Sequence, residues 1–486
     1  MPGKNQIAPI IVWFRRDLRL ADNLALQAAL AAGGPVVCVY IREPGDPLAG
    51  ALGSAQAWWL HHSLAALGRA LENRGSHLLL LTGAPHEILT RLIAETGAGS
   101  VLWNRRYDPK GVELDTEIKS RLVAAGIEAR SFAGFLLHEP TRLRTKQGKP
   151  FRVFTPFWRA LEAMFEPIAP LPAPDKIPSL ESKPASESLS HWHLLPTKPN
   201  WADGFAAWWQ PGEDGAIARL DAFVDDGIVG YRENRDRPGI DATSGLSPHL
   251  AMGEISPHRI WAASLKASQT QPDIDASFFR RELVWRDFAW HSLVHQPDMA
   301  SVNLDRRFDA FEWQQAPDAL AAWKVGQTGY PIVDAGMREL WQTGAMHNRV
   351  RMITASFLIK HLLIDWRIGE RWFADTLVDI DPAANAMNWQ WVAGSGADAS
   401  PWFRIFNPIK QGETFDPEGE YVYRYCPELK GLPPRYLHKP FDAPRSVLQS
   451  AGVRLGDTYP KPLVDHDWAR HRALAAFTAL PKSQAS

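Results

Sequence analysis

"IIVWFRRDLRLADNLALQAALAA", residues 10 to 32, decides the architecture. Five β-prone apolar residues, Ile10 to Phe14, precede a charged stretch and then a Leu/Ala run of helical periodicity. Asp22 stands where a helix N-cap belongs. The same strand-then-helix pattern recurs through "PVVCVYI" (35 to 41), "HLLLL" (77 to 81), "SVLWN" (100 to 104) and "EARSF" (128 to 132). This alternation predicts a doubly wound, Rossmann-like parallel sheet of five strands over residues 1–135, covered on both faces. No G-x-G-x-x-G follows the first strand; "WFRRDLRL" stands there instead, so a dinucleotide grip is not expected.

Working outward, residues 136–205 read as an interdomain linker. Its stretch 166 to 200 holds eight prolines, which forbid a long helix or a central strand. An ordered surface loop is equally compatible with that composition. From about 206 to 480 apolar residues recur at three- and four-residue intervals, as in "SFFRRELVWRDFAWHSLV" and "HNRVRMITASFLIKHLLI", which predicts an all-α second domain.

The bulk numbers narrow the function classes. Net charge is −1, so any nucleic-acid site must be a local basic patch. The chain has only two cysteines, Cys38 and Cys426, too few for a disulfide framework or a Cys-ligated metal centre. No signal segment or membrane span is read, so the expectation is a cytoplasmic protein. Tryptophan is abundant, 21 residues against 9 tyrosines. Most should be core, and some could be stacking platforms or redox sites.

Three stretches of the helical half carry chemistry. Glu282, Trp285 and Arg286 sit at i, i+3 and i+4 on one helix face, where a solvated ion pair beside a core indole is the plainer alternative. Asn348, Arg351 and Met352 share another face, with His347 just before them as a hydrogen-bonded group rather than a metal ligand. Thr243, Ser244 and Ser247 precede an apolar helix, which suits an anion site or ordinary capping. "DIDPAANAMNWQW" (379 to 391) packs Asp379, Asp381, Asn385, Trp389 and Trp391 into thirteen positions, too polar for a core helix and too aromatic for a surface one.

Taken in order, "WFRRDLRLADN", "TSGLSPHLAMGEIS", "RELVWRDF", "TGYPIVDAGMREL", "MHNRVRMITASFLIKHLLIDW", "DIDPAANAMNWQW" and "SPWFRIFNP" resemble the photolyase/cryptochrome family over about residues 10 to 465. Stretches such as "AQAWWLHHSLAAL" and "AGSGADASPWF" are most similar to its class III cyclobutane pyrimidine dimer photolyases. The resemblance implies an antenna-binding α/β domain and a helical domain that binds FAD and DNA. It also implies light-driven repair: reduced FADH⁻ passes an electron to a flipped dimer, the dimer splits into monomers, and the electron returns. The chain would act as a monomer on UV-damaged DNA, without metal or membrane.

By that resemblance, Tyr231, Thr243, Ser244, Gly245, Leu246 and Ser247 cradle the diphosphate and ribityl end of FAD. Glu282, Arg286, Asn348, Arg351, Asp379, Ile380, Asp381 and Asn385 complete the cofactor set. Asn385 would face flavin N5, where plant cryptochromes carry an acid; a neutral amide brings no proton. Glu282, Asn348, Met352 and Asn385 would serve catalysis. Asn348 and Met352 occupy positions that are both histidine in the (6-4) photolyases. Trp285 and Trp391 would wall the dimer pocket, and Arg235 and Arg349 would bind the DNA. Flipping costs a few kcal/mol and stacking on aromatics returns about 1–3 kcal/mol per base, which favours lesions already poorly stacked.

Trp389, Trp366 and Trp313 match the tryptophan relay. Class III enzymes use methenyltetrahydrofolate as antenna, for which Glu43 and Trp58 are candidates. "YDPKG" and "DMASVN" depart from the class I folate pattern, so the antenna binds elsewhere or is lost. The alternative functions are a cryptochrome-like blue-light receptor without repair, and an unrelated electron-transfer flavoprotein. Asn385 and the absence of a long C-terminal tail weigh against the first. The second leaves Glu282, Asn348 and Met352 without a role.

Overall fold

β1 (Ile10–Phe14) is the central strand of a five-stranded sheet in this computed structural model, which describes residues 7–43, 53–270, 276–397 and 403–481. With β2 (Val36–Arg42), β3 (Leu78–Thr82), β4 (Ser100–Asn104) and β5 (Glu128–Phe132) the order is β3-β2-β1-β4-β5, and each neighbouring pair is parallel. Helices α1 (Leu24–Ala32), α2 (Ser54–Glu72), α3 (Pro85–Thr96) and α4 (Pro109–Ala124) connect the strands. All five β1 residues are buried, as a strand covered on both faces requires. Ile11, Trp13, Val39 and Val101 share a core with Leu89 and Leu92 of α3 and Ile118 and Leu122 of α4. The predicted doubly wound sheet is therefore present, with each strand within a residue or so of its expected bounds.

Asp22 is not the cap of α1. Asn23 is: its side chain accepts from Leu26 N, and its extended backbone suits a cap. Asp22 takes a left-handed φ of 53°, which turns its carboxylate away to accept from Ser256 Oγ and Leu171 N.

The crevice at the carboxyl ends of β1 and β4, the usual ligand position in such sheets, is narrowed by side chains to a small cavity lined by Arg16, Asp17, Asn104, Arg106 and Asp108. Arg15 pairs with Asp115 at 2.6 Å and donates to Asn104 O, while Asn104 Nδ2 donates to Asp17 at 2.7 Å. This packed network stands where a glycine-rich grip would leave room for a pyrophosphate.

By contacts the described residues gather into two compact units, one within 1–151, 155–228 and 244–297, the other within 152–154, 229–243 and 298–486. These units cut the chain elsewhere than residues 135 and 205. Within the first unit the Ser277–His295 helix holds backbone that follows the sheet: Asp287 accepts from Leu137 N and His138 N, Arg286 donates to Phe135 O, and His291 accepts from Phe151 N. Composition changes near residue 205, but these bonds do not respect it.

The proline-rich stretch 166–200 forms one short turn, Leu189–Trp192, and otherwise runs without helix or strand. It is an ordered loop of the first unit, tied to the sheet. Val36 N donates to Pro178 O at 2.7 Å, Glu187 N to Leu80 O at 2.8 Å, and Leu80 N to Ser186 Oγ at 2.9 Å.

The second unit is helical among its described residues apart from one isolated bridge, Leu455–Tyr459. The Pro331–Thr343, Asn348–Ser356, Trp366–Thr376 and Pro382–Ala393 helices surround a core that includes Leu340, Ile353, Leu358, Trp366, Phe373 and Trp389. A π-turn, Phe357–His361, continues the Asn348–Ser356 helix. No described helix is long and apolar enough to cross a membrane.

Candidate functional site

In the first unit, Glu282, Trp285 and Arg286 lie half-buried on the Ser277–His295 helix. Arg286 reaches back to Phe135, with its Nη1 2.8 Å from the carbonyl and its guanidinium 4.1 Å over the ring. Trp285 packs edge-on against Phe288 at 5.9 Å.

Ser244, Gly245, Leu246 and Ser247 form a corner into the short Ser247–Met252 helix. Its N-cap residue is Leu246, whose side chain carries no acceptor. Ser244 Oγ instead accepts from Leu246 N at 3.4 Å. Gly245 has a φ of 60°, and a Cβ there would lie 2.4 Å from Arg219 Nη1. Behind the corner, Glu254 accepts from Trp59 Nε1 at 3.0 Å and from Ser63 Oγ, and meets His249 Nδ1 at 2.5 Å. This fully buried cluster anchors the short helix from inside.

In the second unit, Arg351 donates to Asp379 at 2.8 Å and to Met346 O at 2.7 Å. Asp381 is the N-cap of the Pro382–Ala393 helix and accepts from Ala383 N and Ala384 N. Ile380 lies between them, half-buried. One turn into that helix, Asn385 Nδ2 donates to Glu370, 2.8 Å from its Oε1 and 3.2 Å from its carbonyl. Burial pushes the Glu370 carboxyl above the usual range, and the Asn385 amide pulls it partly back. Among neutral and ionisable neighbours, the amide is thereby oriented with its N–H groups toward Glu370.

Asn348 is the first residue of its helix rather than an interior one, and His347 is the N-cap, accepting from Arg349 N at 3.2 Å. Burial pulls the His347 imidazole down to about 4, so it is neutral at pH 7. Met352, one turn on, packs against the core. Arg235 and Arg349 converge on one carboxylate: Asp236 lies 2.5 Å from Arg349 Nη2 and 4.0 Å from Arg235 Nε. Arg235 also stacks over the buried Tyr231 ring at 5.5 Å, and Thr243 is exposed.

Trp366 and Trp389 share the second unit's core at 0% and 2% exposure, and Trp313 packs against that core half-exposed. Trp366 Nε1 donates to Asn303 at 2.9 Å. Trp389 meets Phe373 edge-on at 5.0 Å. Trp391 lines a small cavity with Lys360 and Arg404.

Of the antenna candidates, Glu43 pairs with Arg106 at 3.4 Å, whereas Trp58 is 6% exposed, packed against Phe205 and His62. Residues 398–402, within "AGSGADASPWF", lie outside the described residues.

Sequence reasoning missed Glu370, Asp236, Glu254 and Glu339. Glu339 accepts from Tyr421 OH at 2.6 Å and His347 N at 3.1 Å, and burial raises its carboxyl to about 7. Each acts across tens of residues or between helices, where periodicity gives no signal.

Residues 10–175 match the family model described as DNA photolyase, and residues 278–479 match the FAD binding domain of DNA photolyase. The chain is 60% identical to a deoxyribodipyrimidine photo-lyase of Agrobacterium fabrum, over 98% of this chain and 99% of that one. It is 37% identical to cryptochrome-2 of Arabidopsis thaliana, over 98% of this chain and 79% of that one. A bacterial class III photolyase structure from Agrobacterium tumefaciens superimposes with a TM-score of 0.95 at 59% identity, covering 99% of each chain. The chain belongs to the DNA photolyase family, which it shares with the cryptochromes, and carries that family's FAD-binding domain.

Proposed function

We propose that the protein is a light-dependent deoxyribodipyrimidine lyase that splits cyclobutane pyrimidine dimers in DNA. The observation that carries this reading over a receptor role is the Asn385 amide, uncharged and held by Glu370. A side chain so held delivers no proton to a cofactor beside it, which suits a centre that must lend an electron and recover it.

The residues present fit FAD. Gly245 gives a left-handed backbone corner that a Cβ would crowd, with Thr243 and Ser247 exposed near it in sequence for a diphosphate. Arg351, oriented by Asp379 and Met346, offers a charged donor of set direction. Reduced FAD, when bound, supplies the electron on illumination. Glu282 would accept from the edge of the flipped pyrimidine, and Trp285 and Trp391 would stack against it and keep water out. Asn348 and Met352 would serve without a histidine pair, because dimer splitting requires no proton donor. Arg235 and Arg349 would bind backbone phosphate. Trp389, Trp366 and Trp313 would carry oxidising equivalents outward.

The reading extends to a monomer in the cytoplasm, with residues 1–135 serving the antenna and residues within 206–480 holding cofactor and DNA. The antenna would be methenyltetrahydrofolate, with Glu43 and Trp58 as its candidate contacts. A near-ultraviolet band beyond that of flavin in fresh protein tests the folate. Illumination of reduced protein with a dimer-containing oligonucleotide tests the repair. Light-dependent dimer loss is expected; none, with FAD bound and reduced, would leave the receptor.

A further inference from the structure

Lys360 is a buried ammonium that nothing above uses. It lies on the π-turn Phe357–His361 and is 1% exposed. A π-turn inserts an extra residue into the helical repeat and re-aims the side chains on it. Lys360 Nζ donates to Arg404 O at 3.2 Å and sits 3.5 Å over the Phe403 ring. Four residues earlier, Ser356 Oγ accepts from Phe406 N at 3.3 Å. Segment 403–406 is thus pinned at two points from one stretch of chain. The small cavity beside the ammonium is lined by Ser356, Trp391, Arg404 and Phe406.

A methionine would fill this space without the cost of burying a charge. What it could not do is hold the Arg404 carbonyl. We infer that Lys360 is a positioning residue for damaged DNA: its ammonium clamps segment 403–406 and so sets both the wall formed by Trp391 and the exposed Arg404, whose cation suits a backbone phosphate. This rests on the repair reading above and adds to it a determinant of substrate affinity.

Burial of Lys360 makes the clamp sensitive to pH. Burial pulls its ammonium down to about 7. The Pro382–Ala393 helix contributes no ionisable residue. Segment 403–406 contributes Arg404. His361, the next residue, bonds His466, accepts through its carbonyl from Arg472, and is held by burial near about 3, so it stays neutral. On the Trp366–Thr376 helix Arg367 is engaged with Asp365 and Glu370 with Asn385. The His466–Thr478 helix, packed on the same turn, also carries Asp467, Arg470 and His471. Lys360 itself loses its charge as pH rises through about 7, and the clamp weakens with it.

The test is Lys360→Met, assayed for flavin content, for affinity to a dimer-containing oligonucleotide, and for repair at saturating DNA. Affinity should fall about tenfold, the scale of one charge-assisted hydrogen bond, while flavin content and turnover at saturation hold. The wild type's loss of affinity between pH 6 and 9 should flatten in the variant. Dimer affinity within about twofold of wild type overturns the inference. Should the variant not fold, two measurements remain: Ser356→Ala, which removes the second pin, should weaken affinity, and wild-type affinity should decline with pH. Both unchanged would also overturn it. Failure of the wild type to repair dimers would instead sink the functional reading.

Discussion

Asn385 and Glu370 belong to different helices, and their bond makes the orientation of one amide depend on a carboxyl fifteen residues away. Glu370→Ala should release the amide and lower repair yield about tenfold, whereas Glu370→Gln, which still offers an accepting oxygen, should restore most of it. Quantifying dimer loss per flash in both variants checks this. The identity of Asn385 was legible in "DIDPAANAMNWQW", but its partner was not, because a helix-to-helix bond leaves no periodic trace. The two adjacent cap formers Asp22 and Asn23 show a similar limit: residue type locates a cap to within one position, and only the backbone angle chooses. At Glu339 the fold raises the carboxyl to about 7 from an ordinary value near 4.3. Its charged form is therefore penalised, and stability from this group falls as pH rises from about 4.3 to about 7. Glu339→Gln should raise the melting temperature at pH 8 and leave it nearly unchanged at pH 4.5.

At the scale of elements, the Trp366–Thr376 and Pro382–Ala393 helices approach closely at Gly369. A Cβ there would lie 2.2 Å from Trp389 Cη2 and 2.6 Å from Leu358 Cδ2. Gly369→Ala should therefore destabilise by about 1–3 kcal/mol through overpacking, measured by denaturant unfolding, even though alanine is the better helix former. Trp366→Phe conserves most of the packing but loses the bond to Asn303 and the easily oxidised indole. It should slow photoreduction of oxidised flavin strongly and spare repair by chemically reduced protein; loss of repair under that condition would contradict the relay. The strands were readable because a sheet buried on both faces writes itself as unbroken apolar runs. The grouping of 244–297 with the sheet was not, since it rests on Asp287, Arg286 and His291 holding backbone about 140 to 151 residues away.

For the whole molecule, a net charge of −1 means that long-range attraction to DNA is weak, and binding must come from a few local cations. Arg349→Ala should lower the slope of log affinity against log salt by about 1 and weaken damaged and undamaged DNA alike. Titration at three or four salt concentrations decides it. The Arg349–Asp236 pair joins residues 113 apart, which is why composition alone could say only that a patch must exist. β3 closes one side of the sheet, and a bare outer strand is a template for self-association. The proline-rich stretch lies along that strand, with Glu187 and Ser186 bonding Leu80 and Glu187 also meeting Thr82. A protease cut near residue 186 would thus do more than loosen a tether: it would uncover a ready docking rail for a neighbouring chain, and the nicked protein should precipitate before it unfolds.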